Sequence, residues 1–152
     1  CKVELMRVIL SIRPKHIRKI INGTKRYEFR KVMFKDRSVC EIYVYSTSPV
    51  KRIIGRFKVG KIFEDRPENL WEQLREYSGL TQKDFYAYFS EKDKGYAIEI
   101  INFELFEEPI DPKKLNPTFV APQSFQYIDD STFNHQLDPN KSGLGKFIQI
   151  EV

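Results

Sequence analysis

The sequence predicts an α+β protein: a small mixed or antiparallel β-barrel with helices packed at its openings. Three observations point there. Short stretches of β-forming residues dominate the 152 residues, and helical periodicity interrupts them at two places only. The order is strand, helix, several strands, two helices, strands again, which is not the regular alternation of a doubly wound sheet. At this length one compact domain is expected, with roughly two-thirds of the unfolded surface buried. No internal repeat is visible.

Residues 8–12 form a short apolar run suited to a buried strand. Pro14 follows, tolerated in a first helical turn because its missing N–H would be unbonded there. Ile17, Ile20 and Ile21 recur at helical spacing, and Gly23 stands where the helix should stop. Lys15, Arg18, Lys19 and Asn22 fall on the opposite, basic face. In the next segment Tyr27 and Phe29 alternate with Glu28 and Arg30, which places these charges on an exposed edge. Residues 39–46 carry the strongest strand pattern, with Ile42, Tyr43, Val44 and Tyr45. Thr47, Ser48 and Pro49 turn the chain. Residues 52–63 read as a strand pair or one long bent strand, with Gly55 and Gly60 as bulge or close-approach points.

An acidic helix opens at Arg66-Pro67-Glu68 and runs through Leu70, Trp71, Leu74 and Tyr77 toward Gly79. Thr81, with Asp84 three residues on, caps a second helix carrying Phe85, Tyr88 and Phe89. Residues 95–106 alternate as a long strand, and the pattern weakens after Pro109. A further strand is expected within 122–128. Residues 129–145 are polar and rich in turn formers, so a flexible, protease-sensitive segment is expected there. Residues 146–152 are expected to add a terminal strand. The chain begins at Cys1; Met6 is a candidate natural start, and function is sought from Met6 onward.

Composition narrows the function. With 41% hydrophobic and 14% aromatic residues, disorder throughout is excluded despite 31% charged residues. Cys1 and Cys40 cannot build a disulfide framework or a four-thiolate zinc site, and His16 and His135 add little. No metal and no cofactor is expected. No apolar run approaches a membrane span, and nothing resembles a signal peptide, so a soluble cytoplasmic protein is the expectation. The net charge of +5 conceals a strong asymmetry. Residues 1–61 hold 17 Lys and Arg against 4 Asp and Glu; residues 62–152 hold 9 against 17. Either the basic half meets a polyanion, or the two halves pair with each other on folding.

The usual catalytic signatures are absent: no phosphate loop, no paired-histidine zinc motif, no Gly-x-Ser-x-Gly elbow. Gly143-Leu144-Gly145 lies in the polar tail and reads as flexible chain. His16, beside the basic helix, could meet a phosphate when protonated. The segment Gly23-Thr24-Lys25-Arg26-Tyr27-Glu28-Phe29-Arg30 carries more. Preceded by Ser11-Ile12-Arg13-Pro14 and a basic helix, it resembles the ASCH domain (activating signal cointegrator homology) of the PUA-like superfamily. The resemblance continues through Tyr45-Ser46-Thr47-Ser48-Pro49, Gly55-Arg56-Phe57-Lys58-Val59-Gly60, Gly95-Tyr96-Ala97-Ile98 and Pro122-Gln123-Ser124-Phe125-Gln126-Tyr127. It covers residues 7–128.

The resemblance implies a PUA-like barrel with a cleft between the first helix and the barrel, where RNA or nucleotide-like ligands bind. Some branches are enzymes: one removes the acetyl group from N4-acetylcytidine, another cleaves RNA. The residues themselves suit such a cleft. Lys25 and Arg30 offer charge and donors to phosphate, Glu28 accepts from a base amino group or fixes the cations, and Tyr27 and Tyr45 offer stacking faces. Lys15, Arg18, Lys19, Ser46, Lys51 and Arg52 complete the expected binding set. The alternative is a surface strand laced with ion pairs and two core tyrosines. In the acetylcytidine branch a threonine three positions after the motif lysine is the nucleophile. Glu28 stands there instead, Thr24 cannot replace it, and Glu76 is only a loose match to the distant acid.

The expectation is therefore a module binding RNA or single-stranded nucleic acid, including a modified nucleoside. The alternative is a metal-independent hydrolase of the same fold with Lys25 and Glu28 as its acid/base pair. A third option is a basic face that binds an acidic protein.

Overall fold

The computed structural model describes residues 7–128 and, for the backbone, residues 147–150. The expected flexible segment at 129–145 lies outside the described residues. Seven strands form one curled sheet, a half-barrel, in the order β2-β5-β4-β3-β1-β6, with β7 paired to β5. Strand β1 (Arg7–Ile12) runs parallel to β3 (Glu41–Ser46), with Val8 opposite Ile42 and Ile12 opposite Ser46. The other pairings are antiparallel, through β2 (Tyr27–Arg30), β4 (Arg52–Asp65), β5 (Gly95–Ile110), β6 (Phe125–Ile128) and β7 (Phe147–Ile150). The barrel-like α+β expectation holds.

Both faces of the central strands are covered, which is why β1 is apolar at consecutive positions rather than alternating. Val8, Leu10 and Ile12 meet Ile42, Val44, Phe57 and Phe103 in one core. Ile9 turns the other way, to Tyr43, Tyr45, Ile53 and Phe119. Helix α1 (Pro14–Ile21) closes the first core with Ile17 and Ile20. Its stop is Gly23, at φ +84, a conformation costly for residues with a Cβ.

Residues 52–63, left open between a pair and one bent strand, lie within the single strand β4. Its pairing with β5 shifts register at three places. A Cβ on Gly55 would strike the Glu104 carbonyl oxygen, so the glycine permits the close approach expected of it. Helix α2 (Pro67–Leu74) passes into a 3-10 turn at Arg75–Tyr77. Helix α3 (Gln82–Tyr88) starts at the Thr81 cap, whose side chain accepts from the Asp84 N–H. These helices pack Leu70, Leu74, Phe85 and Phe89 on Phe29 and Ala97, a third core beside β2. Helix α4 (Pro112–Leu115), capped by Asp111, was not anticipated; four residues are too few for periodicity to show. The terminal strand expected within 146–152 is β7.

Candidate nucleic-acid interface

Strand β2 has two chemically distinct faces. Tyr27 and Phe29 point to the α2/α3 core, where Phe29 meets Phe85 edge-on and Tyr27 meets Phe63. Glu28 and Arg30 take the opposite face by strand alternation. The exposed edge expected for these charges is not found. Lys25, Glu28 and Arg30 are only 2%, 7% and 8% exposed.

Burial is tolerable because the three charges answer one another and the backbone. Arg30 Nη2 lies 2.8 Å from Glu28 Oε2 and donates to the Ser11 carbonyl at 2.7 Å. Its Nη1 donates to the Ser124 carbonyl at 3.4 Å. Lys25 Nζ donates to the Ser78 carbonyl at 2.8 Å and stands 3.8 Å from Glu28 Oε1. The same ammonium sits 5.1 Å from the centre of the Phe29 ring. The motif thus joins β1, β2, the turn before α3 and the approach to β6. Gly79, at φ +70, closes over Lys25; a Cβ there would come within 2.8 Å of the Lys25 side chain.

Burial lowers the Lys25 pKa to about 8, with Glu28 opposing that shift and Lys19 and Arg30 adding to it. His16 is lowered to about 4, first by burial and then by Lys25. At neutral pH it is therefore uncharged, and the expectation of a protonated phosphate contact is corrected accordingly. Among the described residues, two buried nitrogens have no hydrogen-bond partner, His16 Nδ1 and Arg30 Nε.

The remaining expected binding residues divide. Lys15 and Arg18 are exposed on α1 and form no ion pair among the described residues. Arg13 at the helix start shares that surface. Lys19 points inward enough to donate to the Gly79 carbonyl at 2.7 Å. Lys51 is exposed in the turn after β3, while Arg52 lies 3.9 Å from Asp111. The Thr47 N–H donates to the Ile12 carbonyl, which ties this turn to the start of α1. Tyr45 and Ser46 are buried; the Tyr45 ring packs on Phe119, in the core on the far face of the sheet. Tyr45 therefore offers no free stacking face beside the motif, and Tyr27 is half-buried against Phe63. The loosely matched Glu76 is exposed in the 3-10 turn.

The two charge halves do pair in part, through Arg56 with Glu104 at 2.8 Å and Arg37 with Glu64 at 3.8 Å. Among the described residues, helix α1 takes no share in that pairing. Sequence reasoning missed Tyr88 at the end of α3, which is 36% exposed and carries the Lys31 ammonium 4.7 Å from its ring centre. The sequence reading names it only as one of three aromatic residues on its helix, with Phe85 and Phe89. An open groove of about 580 Å³ lies elsewhere, along Arg37, Val39, Val59, Gly60, Ile62 and Glu64. We place the candidate site at the motif instead, because the groove's charges include the Arg37–Glu64 pair and it holds none of the motif residues. No cluster of His, Cys, Asp and Glu able to hold a metal exists among the described residues. No helix among them is long and apolar enough to cross a membrane.

The sequence pattern of the ASCH domain matches residues 10–109, and the chain belongs to that family. It is 25% identical over 126 residues to an ASCH domain-containing ribonuclease from Zymomonas mobilis, covering 79% of this chain and 82% of that one. It is 24% identical over 121 residues to large ribosomal subunit protein uL22 from Ureaplasma parvum. That match takes in 80% of this chain but only 39% of the ribosomal protein's length. The crystal structure of ASCH from Zymomonas mobilis superposes with a TM-score of 0.78 at 23% identity, over 86% of this chain and 93% of that one. The family and its relatives are consistent with a function related to RNA.

Proposed function

We propose that this chain is a cytoplasmic module that binds RNA or another single-stranded nucleic acid along α1 and the adjoining motif. The observation that carries the reading is the outer face of α1. Arg13, Lys15 and Arg18 stand in solvent without a carboxylate partner among the described residues, and α1 has no acid in its first turn. Phosphates gain from such a row because each neutralised charge releases condensed counterions. Lys51 is a further exposed cation, in the turn that Thr47 ties to Ile12. Lys25 and Arg30 act differently from the sequence expectation: they are too buried to grasp phosphate directly and instead hold the floor on which the strand lies.

The test is fluorescence anisotropy with a labelled single-stranded RNA at several salt concentrations. Binding that weakens steeply with salt supports the reading.

A second reading, a metal-independent hydrolase acting on RNA or a modified nucleoside such as N4-acetylcytidine, is favoured by one observation. Lys25 titrates near pH 8 beside Glu28, a range useful for moving protons in catalysis. The likeness to a chain named as a ribonuclease lends it support. RNA fragments formed by the wild type in the presence of a chelator, and lost in Lys25→Met, would establish hydrolysis over binding alone.

A further inference from the structure

The open groove of about 580 Å³ holds none of the motif residues and lies where the β3/β4 ladder ends. Glu41 stands opposite Lys58, and one step further the Val59 N–H donates to the Cys40 carbonyl at 2.9 Å. Beyond that bond, residues 37–40 form one wall of the groove and residues 59–64 of β4 the other. Val39, Val59 and Ile62 give it apolar sides continuous with the first core. Arg37 and Glu64, each about half exposed, stand in its lining. An apolar recess of this kind, opening from a core to the surface, calls for a cover.

Residues 1–6 lie outside the described residues, and the chain leaves them at this same end. The parallel register sets Val8 beside Ile42, and Arg7 lies 3.8 Å from Glu41, so β1 begins next to Cys40. Cys40 itself lines the groove and is disulfide-bonded. The sequence holds one other cysteine, Cys1.

We propose that residues 1–6 are the occupant of this groove, a short strap fastened by a Cys1–Cys40 disulfide and released when that bond is reduced. The bridge holds its two Cα atoms roughly 4.4–6.8 Å apart. Cys1 and Arg7 are then both anchored beside Cys40, and Lys2-Val3-Glu4-Leu5-Met6 doubles back between them. Val3, Leu5 and Met6 cover the apolar sides, while Lys2 and Glu4 stay at the rim, where Glu64 and Arg37 carry the opposite charges. Release needs a dithiol reductant. One of its thiolates attacks a sulfur of the bridge, and its second thiol then displaces the mixed disulfide; the chain gains two thiols and the reductant closes into its own disulfide. Because such bridges are transient in a reducing compartment, the cover depends on redox state.

The test begins with protein purified without reductant, alkylated before and after dithiothreitol and mapped by mass spectrometry. No thiol is expected to react beforehand and two afterwards, with a linked peptide joining Cys1 to Cys40 in a monomer. Hydrogen exchange is then followed at the amides of residues 37–40 and 59–64. Reduction is expected to speed exchange there by about tenfold or more while leaving α3 unchanged. Leu5→Asp, with the disulfide still formed, is expected to do the same, and Leu5→Met is expected to keep the slow exchange. Thermal melting confirms that both variants fold. Free thiols before reduction, or a bridge between two chains, would overturn the fastening. Unchanged exchange at the groove on reduction or in Leu5→Asp would overturn the occupancy.

Discussion

On helix α1, Lys15 and Arg18 stand in solvent with no carboxylate partner among the described residues. At the motif, Lys25 and Arg30 are folded inward onto Glu28 and onto the carbonyls of Ser78, Ser11 and Ser124. Both sets are cations in one basic half of the chain, yet they carry different physical burdens. The outer set is hydrated, screened by salt and nearly silent in folding. The inner set is desolvated, and its members must keep their partners or destabilise the fold. Composition records positive charge in both places; only the covering chain decides which charges are available to a ligand.

The largest expected effect follows from the inner set. Glu28→Ala leaves Lys25 and Arg30 buried without their counter-charge, and stability should fall by about 3–5 kcal/mol. Urea unfolding measures it. A loss below about 1 kcal/mol would mean the three charges are hydrated after all, and the contrast with α1 would disappear.

A smaller loss is expected from Gly79→Ala. The positive φ at Gly79 costs a residue with a Cβ roughly 1–2 kcal/mol, and the new methyl also presses on Lys25. Unfolding of this variant tests whether the Ser78–Gly79 turn really closes over the lysine.

Lys25 itself gives a pH signature. Its pKa is about 8 in the fold against 10.5 for an unburied lysine. Between those values the unfolded chain still holds a proton that the folded chain has released. Raising the pH across this window therefore stabilises the fold through this group, and below about pH 8 its contribution is flat. The difference in unfolding free energy between wild type and Lys25→Met should grow from pH 8 to pH 10. A difference that stays level would show that Lys25 keeps an ordinary lysine environment.

The smallest effect on folding belongs to the outer set. Lys15→Ala and Arg18→Ala should change stability by no more than about 0.5 kcal/mol. Each should nevertheless make nucleic-acid binding weaker and less salt-dependent.

Much of this architecture was legible in the residues. Pro14, the isoleucine spacing and Gly23 bounded α1, and Thr81 announced α3, because these signals act within one or two turns of chain. The single bent course of β4 was not decidable, since a glycine serves equally in a turn and in a close strand crossing. The motif's charges were legible as a cluster but not as a buried one. What covers them comes from far along the chain: Ser78 is 53 residues from Lys25, and Ser124 is 94 residues from Arg30. Tyr45 failed as a stacking candidate for a related reason. Alternation separates the two faces of a strand, but which face meets α1 depends on the curl of the whole sheet.

The most direct test of the account is the salt dependence of binding to a short single-stranded RNA. With about four phosphates neutralised, at ~0.7 per phosphate for single strands, log K should fall against log salt with a slope near −3. In the variant carrying both Lys15→Ala and Arg18→Ala the slope should become shallower while the fold stays intact. A slope near zero for every oligonucleotide tried would contradict the proposal that the outer face of α1 is a nucleic-acid interface.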